Sequence, residues 1–182
     1  MKRTIPLYLL ATMCCMPATA AEKHDHGAGQ ISVAIDGARI DIDLELPLDT
    51  VVGFERAPRT DKERAALAAA GKSLQDGAAL FVPTAAAQCA LKAAEIELPY
   101  SGAAAAKSSA VPASSGAQHE AEGHADVDAR YTFECAQPAA LAGIETRLFK
   151  TLPRLYRLEL QRVGPKGQGG GRLTPKDPVV RW

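Results

Sequence analysis

Apolar residues at every second position near the start of the chain constrain its fold more than any other feature. They alternate with polar residues over 31–35 and again over 40–46, and Asp36-Gly37 lies between the two runs. This pattern predicts a β-hairpin with one buried face. The other face of the second strand carries three carboxylates, those of Asp41, Asp43 and Glu45. Without carbonyl or loop ligands these make a poor cation site, so we expect a solvated sheet face.

The rest of the chain predicts further strands and one clear helix. Thr60-Asp61-Lys62-Glu63 has the form of a capping box, and the alanine-rich run after it predicts a helix from about 61 to 76. Strands are predicted over 89–98, 127–135 and 156–160, and a glycine-rich turn over 165–171. The expected fold class is α+β, a mostly antiparallel sheet with at least one covering helix.

One stretch of the chain is predicted to leave the fold. Between about residues 100 and 126 the composition shifts to Ala, Ser, Gly and isolated Pro, which is typical of a flexible, disordered central loop. The length of 21–182 suits a single domain. The segments 52–58 and 148–153 follow strands in a similar order, which hints at a two-lobed internal repeat.

The first 20 residues have the pattern of a secretory signal peptide. Lys2 and Arg3 precede an apolar run, and Ala18-Thr19-Ala20 matches a cleavage site, so we expect an exported mature chain that begins at Ala21. The apolar run is shorter than the roughly 20 residues that span a bilayer. No later segment is long or apolar enough either, so we expect no membrane insertion.

Charge and cysteine content narrow the partners of the mature chain. Loss of the signal peptide removes two of the 21 basic residues and leaves all 21 acidic ones. The mature chain therefore has no excess of positive charge that would attract nucleic acid or an anionic membrane, and we expect neither as a partner. Cys89 and Cys135 remain, and two cysteines in an exported chain most simply form one disulfide, here across the flanks of the loop. A zinc site that uses both cysteines is the alternative. The oxidising compartment and the absence of CxxC spacing argue against it.

The four histidines lie in two short polar stretches, His24-Asp25-His26 and the segment from His119 to His124. Imidazole is the commonest protein ligand for zinc and copper, so this placement suggests that the chain collects metal. Polar loops also gather polar residues without binding anything, and composition alone leaves both interpretations open. The carboxylates interleaved with the histidines are further candidate ligands, namely Asp25, Glu120 and Glu122.

A metal site built from these groups would require flexible segments to converge. A closed zinc site takes four ligands in a tetrahedron, and Asp126 or water could complete the set. We therefore expect modest affinity that falls as the pH drops towards about 6, because each histidine must be deprotonated to bind. The new amino group at Ala21 would favour copper or nickel, so the identity of the metal stays open.

Several motifs along the mature chain occur together in a known family. They are HDHGAG at 24–29, VAIDG at 33–37, VGFERAP at 52–58, the pair Cys89 and Cys135, Leu148-Phe149, GPKGQ at 164–168 and LTP at 173–175. On these motifs the chain resembles the ZrgA-like family of zinc-regulated bacterial periplasmic proteins. The resemblance implies a periplasmic protein that binds zinc through histidines of its N-terminus and central loop. It also implies assistance to a high-affinity zinc uptake transporter, with the zinc-binding component of an ABC system as partner.

Two other classes of function make different predictions. A metal-independent interaction module would keep the fold without most metal ligands, and would depend on the Gly53-Phe54-Glu55 region rather than on the histidines. Phe54 itself is expected in the core. An enzyme is not expected, because the sequence has no nucleophile elbow, HExxH, P-loop or CxxC motif, and no histidine in a segment that looks packed.

Overall fold

The computed structural model describes residues 25–101 and 125–181. The strands in these two ranges are β1 (Ala28–Asp36), β2 (Arg39–Pro47), β3 (Phe81–Pro83), β4 (Cys89–Glu97), β5 (Asp126–Cys135), β6 (Gly143–Thr146), β7 (Arg157–Gly164), β8 (Gly167–Leu173) and β9 (Val179–Arg181). The helices are α1 (Leu48–Val52), α2 (Asp61–Gln75), α3 (Gly77–Leu80) and α4 (Leu148–Thr151). Short 3₁₀ turns lie at Ala85–Ala87 and Pro138–Ala140.

Six of the strands form one mixed sheet in the order β4-β5-β2-β1-β7-β8. Every neighbouring pair in it is antiparallel except β1 and β7, which run parallel. The predicted hairpin is β1–β2, but its turn lies at Gly37-Ala38 rather than at the predicted Asp36-Gly37. Gly37 takes a positive φ of 57° there, a conformation that glycine adopts without strain. The prediction of a mostly antiparallel sheet is confirmed, and the parallel pair is a feature that the local sequence pattern did not reveal.

Helix α2 covers one face of this sheet. The predicted capping box is present, because the backbone N–H of Glu63 donates to Thr60 Oγ1 and the Glu63 carboxylate accepts from the Thr60 N–H, both at 3.2 Å. Leu67 and Leu74 are the buried residues of α2. The hydroxyl of Tyr131 on β5 donates to the Leu74 carbonyl at 2.9 Å, which fixes the helix to the sheet. The predicted covering helix is therefore confirmed.

A small antiparallel sheet in the order β3-β6-β9 completes the core. The ring of Phe81 on β3 lies 5.0 Å from that of Tyr131, and Ile144 and Val180 are buried in the same cluster of apolar residues. The six-stranded sheet combines strands from both halves of the described chain. The two-lobed repeat stays a prediction.

The predicted disulfide is present between Cys89 and Cys135, and no zinc site uses these cysteines. The two residues face each other across β4 and β5, at the end of the hairpin opposite the segment that joins the strands. Strand β4 is an edge strand with a bulge between Leu91 and Ala93. The bridge therefore ties the far end of this edge strand to the sheet, and Cys135 is buried as its alternation predicted.

The glycine-rich segment near the C-terminus forms a hairpin, as expected, but the predicted extent of its turn is wrong. Strand β7 ends at Gly164, Pro165-Lys166 make the turn, and β8 begins at Gly167. Pairing with β7 supplies the ladder hydrogen bonds, which outweigh the low strand propensity of glycine.

Two of the predicted segments lie outside the described residues, namely the signal peptide at 1–20 and most of the central loop, 102–124. Within 25–101 and 125–181, no helix combines the length and apolar character needed to cross a membrane.

Candidate metal centre

The hairpin positions His26 just before the first strand. The register of β1 and β2 pairs Gln30 with Glu45 and runs back towards the start of β1. Continued by four more pairs, that register places His26 opposite Asp49, where β2 passes directly into α1. The turn at Gly27, with a φ of 82°, carries the chain from His26 into β1.

Helix α1 positions the two acidic members of the site. Asp49 lies in its first turn, and Gly53 ends it in the left-handed conformation with a φ of 88°. The Gly53 N–H donates to the Asp49 carbonyl at 2.7 Å. A Cβ atom at Gly53 would stand 2.7 Å from a guanidinium nitrogen of Arg154, so glycine is required here for both conformation and space. The reversal at Gly53 brings Glu55 back towards Asp49.

His26, Asp49 and Glu55 converge on one point at the surface. His26 Nδ1 donates to Asp49 Oδ2 at 2.5 Å and lies 3.6 Å from Glu55 Oε1. One ligand atom from each residue lies within 4.8 Å of the other two. The imidazole is 71% exposed, whereas the carboxylates of Asp49 and Glu55 are 21% and 35% exposed. We call these three residues the His26 cluster.

The spacing of the His26 cluster suits a zinc ion. Zinc bonds to histidine nitrogen and carboxylate oxygen at about 2.0–2.2 Å, so two ligand atoms of a tetrahedral ion stand about 3.4 Å apart. The separation of 3.6 Å between His26 and Glu55 is close to that value. The contact with Asp49 must open by about 1 Å, which the exposed imidazole ring allows. Three protein ligands then leave a fourth position for water or another donor.

The electrostatics of the cluster favour a cation. The hydrogen bond to the Asp49 carboxylate, then the charge of Asp49 and that of Glu55, raise the pKa of His26 above its ordinary 6.5. The same two carboxylates would hold a divalent ion in place of the imidazole proton. Proton and metal therefore compete for Nδ1.

A buried threonine connects the two sides of the cluster. Thr50 is only 1% exposed, and its hydroxyl accepts a hydrogen bond from the Gly27 N–H at 3.0 Å. The same hydroxyl lies 3.4 Å from Asp49 Oδ1, to which it donates a long hydrogen bond. Thr50 thus holds the backbone next to His26 against the helix that carries Asp49.

Asp25, a ligand predicted from the sequence, is engaged elsewhere. Its Oδ2 accepts hydrogen bonds from the Tyr156 hydroxyl and from Arg157, each at 2.9 Å. The Asp25 hydrogen bond raises the pKa of Tyr156. Asp25 therefore pins the N-terminal segment to the start of β7, and lies outside the His26 cluster.

Most of the other predicted ligands cannot be placed. His24, His119, His124, Glu120 and Glu122 lie outside the described residues. The described chain resumes at Ala125, whose carbonyl accepts from the Leu48 N–H at 2.8 Å. The second described range therefore begins next to α1, the helix that carries Asp49. Asp126 faces Pro47 at the start of β5.

Two other predictions concern residues outside the His26 cluster. The outward carboxylates of β2 form ion pairs, Asp41 with Arg39 at 2.7 Å and Asp43 with Arg130 at 2.6 Å, as suits a solvated sheet face. Phe54 was expected in the core, and this is wrong. It is half-buried, with the Arg56 guanidinium 5.6 Å from the centre of its ring.

Sequence reasoning missed Asp49 and Glu55, and the position of the first depends on the exact register of the hairpin. Facing residues in the β1–β2 hairpin have numbers that add to 75, from Asp36 and Arg39 to Gln30 and Glu45. His26 and Asp49 fit the same rule. The predicted two-residue turn at Asp36-Gly37 would instead have paired Ile35 with Ala38, and His26 with Pro47. The observed turn at Gly37-Ala38 shifts the register and brings Asp49 opposite His26. Glu55 has no local signal, because it lies beyond a helix and a left-handed glycine.

Comparison with known proteins agrees with a role in zinc transport. A family model described as ZrgA family zinc uptake protein matches residues 23–182, a range that includes the whole His26 cluster. The match confirms the resemblance drawn from the sequence motifs. No curated protein matches the chain.

Proposed function

Because the chain belongs to the ZrgA family of zinc uptake proteins, we propose that it captures zinc in the periplasm and passes it to a high-affinity uptake transporter. The capture site that we propose is the His26 cluster. Zinc is the cargo in this proposal, and copper or nickel are competitors that a histidine site also accepts. The protein acts by binding rather than by catalysis.

The observation that carries the proposal is the convergence of one imidazole and two carboxylates on a single point. These are ligand types that zinc prefers, and a shift of the imidazole by about 1 Å gives the separations that a tetrahedral ion needs. Asp49 is fixed by a helix and by its contact with Thr50, so only the histidine ring must move when the ion enters. Little of the binding energy is then lost in ordering the site.

Openness of the site favours capture and release over storage. His26 is mostly exposed, and three protein ligands leave one coordination position for an incoming donor. A ligand from an acceptor protein could enter that position before zinc leaves the cluster. The remaining histidines, His24, His119 and His124, are further candidates for this position and for additional ions, together with Glu120 and Glu122.

Location and partner are the parts of the proposal that rest on sequence. The signal-peptide pattern of residues 1–20 supports export, and the family match begins at residue 23, after the predicted cleavage point. The partner we propose is the periplasmic zinc-binding component of an ABC uptake system. Transfer can be followed by mixing zinc-loaded protein with that component and separating the two by size.

The test of the site is a calorimetric titration of zinc into the disulfide-bonded chain 21–182. We expect saturable binding at micromolar concentration or below, weakened at least about tenfold by His26→Ala, as for loss of a direct ligand. Asp61→Asn is the matched control, because Asp61 carries an almost fully exposed carboxylate on α2 outside the cluster. A chain that binds no zinc would refute the capture function.

A second variant separates the His26 cluster from the other histidines. In it His24, His119 and His124 are changed to alanine and His26 is kept. We expect this variant to retain one zinc site, which His26→Ala then removes. Zinc binding that disappears in the triple variant and survives His26→Ala would instead assign capture to the undescribed segments.

A further inference from the structure

We propose that the ion pair of Arg56 and Glu63 is the positioning device that holds Glu55 in the His26 cluster. This inference rests on the proposed function and names residues that determine the affinity of its site. Arg56 and Glu63 are not ligands themselves in this proposal. They act through Glu55, which lies between α1 and α2 and belongs to neither helix.

Glu55 lies in an irregular segment, 53–60, between α1 and α2. Such a segment would leave the carboxylate free to sample many positions, and each would cost binding energy when zinc orders it. A third ligand in this location therefore needs a fixed backbone. In the structure this segment is attached to the N-terminus of α2.

Glu63 is the attachment point. Its Oε2 accepts from the backbone N–H of Arg59 at 2.6 Å and of Thr60 at 3.2 Å. Its two oxygens also receive the Arg56 guanidinium, at 2.7 Å for Oε1 and 3.1 Å for Oε2. The Arg56 bond, then the backbone bonds, lower the pKa of Glu63 to about 2. One carboxylate thus fixes the segment at three residues.

Arg56 fixes the direction in which Glu55 points. Its guanidinium lies 5.6 Å from the centre of the Phe54 ring and also donates to the Ala57 carbonyl at 3.1 Å. The side chains on both sides of Glu55 are therefore joined to each other, within the range of a cation–π contact. Glu55 itself points to His26, with Oε1 3.6 Å from Nδ1.

The charge of Arg56 and its positioning role predict opposite effects on zinc affinity when Arg56 is replaced by a neutral residue. Removal of the positive charge of Arg56, the residue that follows Glu55, should strengthen the binding of a divalent cation if charge alone matters. Loss of the attachment should weaken binding, because Glu55 is no longer held. Orienting partners of metal ligands typically account for about 10–100-fold in affinity. We expect the positional effect to dominate.

The experiment compares Arg56→Met with Arg64→Met in zinc titrations of the chain 21–182. Arg64 is the matched control, since it is an exposed arginine on α2 that pairs with Asp61 rather than with the 53–60 segment. We expect Arg56→Met to weaken zinc binding about tenfold and Arg64→Met to leave it unchanged or slightly tighter. Glu63→Gln, which keeps an oxygen for the two backbone N–H groups, should also weaken binding.

Glu55→Gln provides the readout that a general structural effect would not give. If Arg56 acts through Glu55, Arg56→Met causes no further loss of affinity in the Glu55→Gln background. The visible spectrum of bound Co²⁺ should change in the same way in both single variants. Equal affinities of Arg56→Met and Arg64→Met, or additive losses with Glu55→Gln, would overturn the inference. Failure of His26→Ala to weaken binding would instead refute the site itself, and the positioning role with it.

Discussion

Replacement of Thr50 by valine should damage both the fold and the metal site, by amounts that the structure allows us to estimate. Valine has nearly the same shape, so it leaves no cavity, but it removes the acceptor of the Gly27 N–H. A buried N–H without a partner costs about 1–3 kcal/mol. For a domain of this size each kcal/mol lowers Tm by about 2–4 °C, so we expect a decrease of about 2–12 °C.

The same substitution releases the backbone next to His26 from the helix that carries Asp49. We expect zinc affinity to fall about 10-fold or more, as for other groups that orient metal ligands. The assays are thermal unfolding and calorimetric zinc titration.

Thr50→Ser is the control that separates the two effects of Thr50. Serine keeps the hydroxyl and loses one buried methyl group, which costs about 1 kcal/mol of stability. It should therefore bind zinc like the unmodified chain. If Thr50→Val binds zinc as tightly as Thr50→Ser, the hydroxyl does not orient the cluster, and our account of Thr50 is wrong.

Two further predictions concern the disulfide and the protonation of His26. Replacement of both Cys89 and Cys135 by alanine should lower the free energy of unfolding by about 4 kcal/mol in urea, the chain-entropy value for a sequence separation of 46, and a loss below about 1 kcal/mol would contradict it. In NMR titration of the metal-free chain the His26 imidazole should titrate above 6.5, because Asp49 stabilises its protonated form, so that zinc affinity falls as the pH drops through that pKa. Asp49→Asn should return the pKa towards 6.5, and an unchanged value would show that the hydrogen bond is absent in solution.

Local patterns in the sequence predicted the longest helix and most of the long strands. They predicted neither the short strands β3, β6 and β9 nor the short helix α1, and they did not predict the arrangement of the elements. Alternation identified the β1–β2 hairpin, and the capping box at Thr60 identified the start of α2, because both signals depend on neighbouring residues. The parallel pairing of β1 and β7 depends on residues far apart in the chain and has no local signature. The disulfide was predictable from compartment and number of cysteines alone.

The candidate site was predictable only in part, for a similar reason. Histidines are rare in this chain, so the pair near the N-terminus drew attention to His26. Carboxylates are common, and nothing in their local sequence distinguishes Asp49 or Glu55 from the other 19 acidic residues. Asp49 depends on a hairpin register set by a turn one residue later than the predicted one, and Glu55 depends on Gly53 and on the attachment to Glu63. Contacts between residues far apart in the chain identify these two ligands, and such contacts are seen only in the folded structure.

The parallel pair of β1 and β7 has a consequence for when the metal centre can form. Asp25 is held by Tyr156, 131 residues later in the sequence, and β1 cannot complete its pairing until β7 has docked. Contacts of such long range close a large loop and form slowly during folding. In a chain that is still being synthesised or is partly folded, His26 would therefore be present before the contacts of Asp25 and β7 hold its segment in place. Zinc binding at the His26 cluster therefore requires the fully folded chain. The increase in zinc affinity during refolding would follow the docking of β7 against β1.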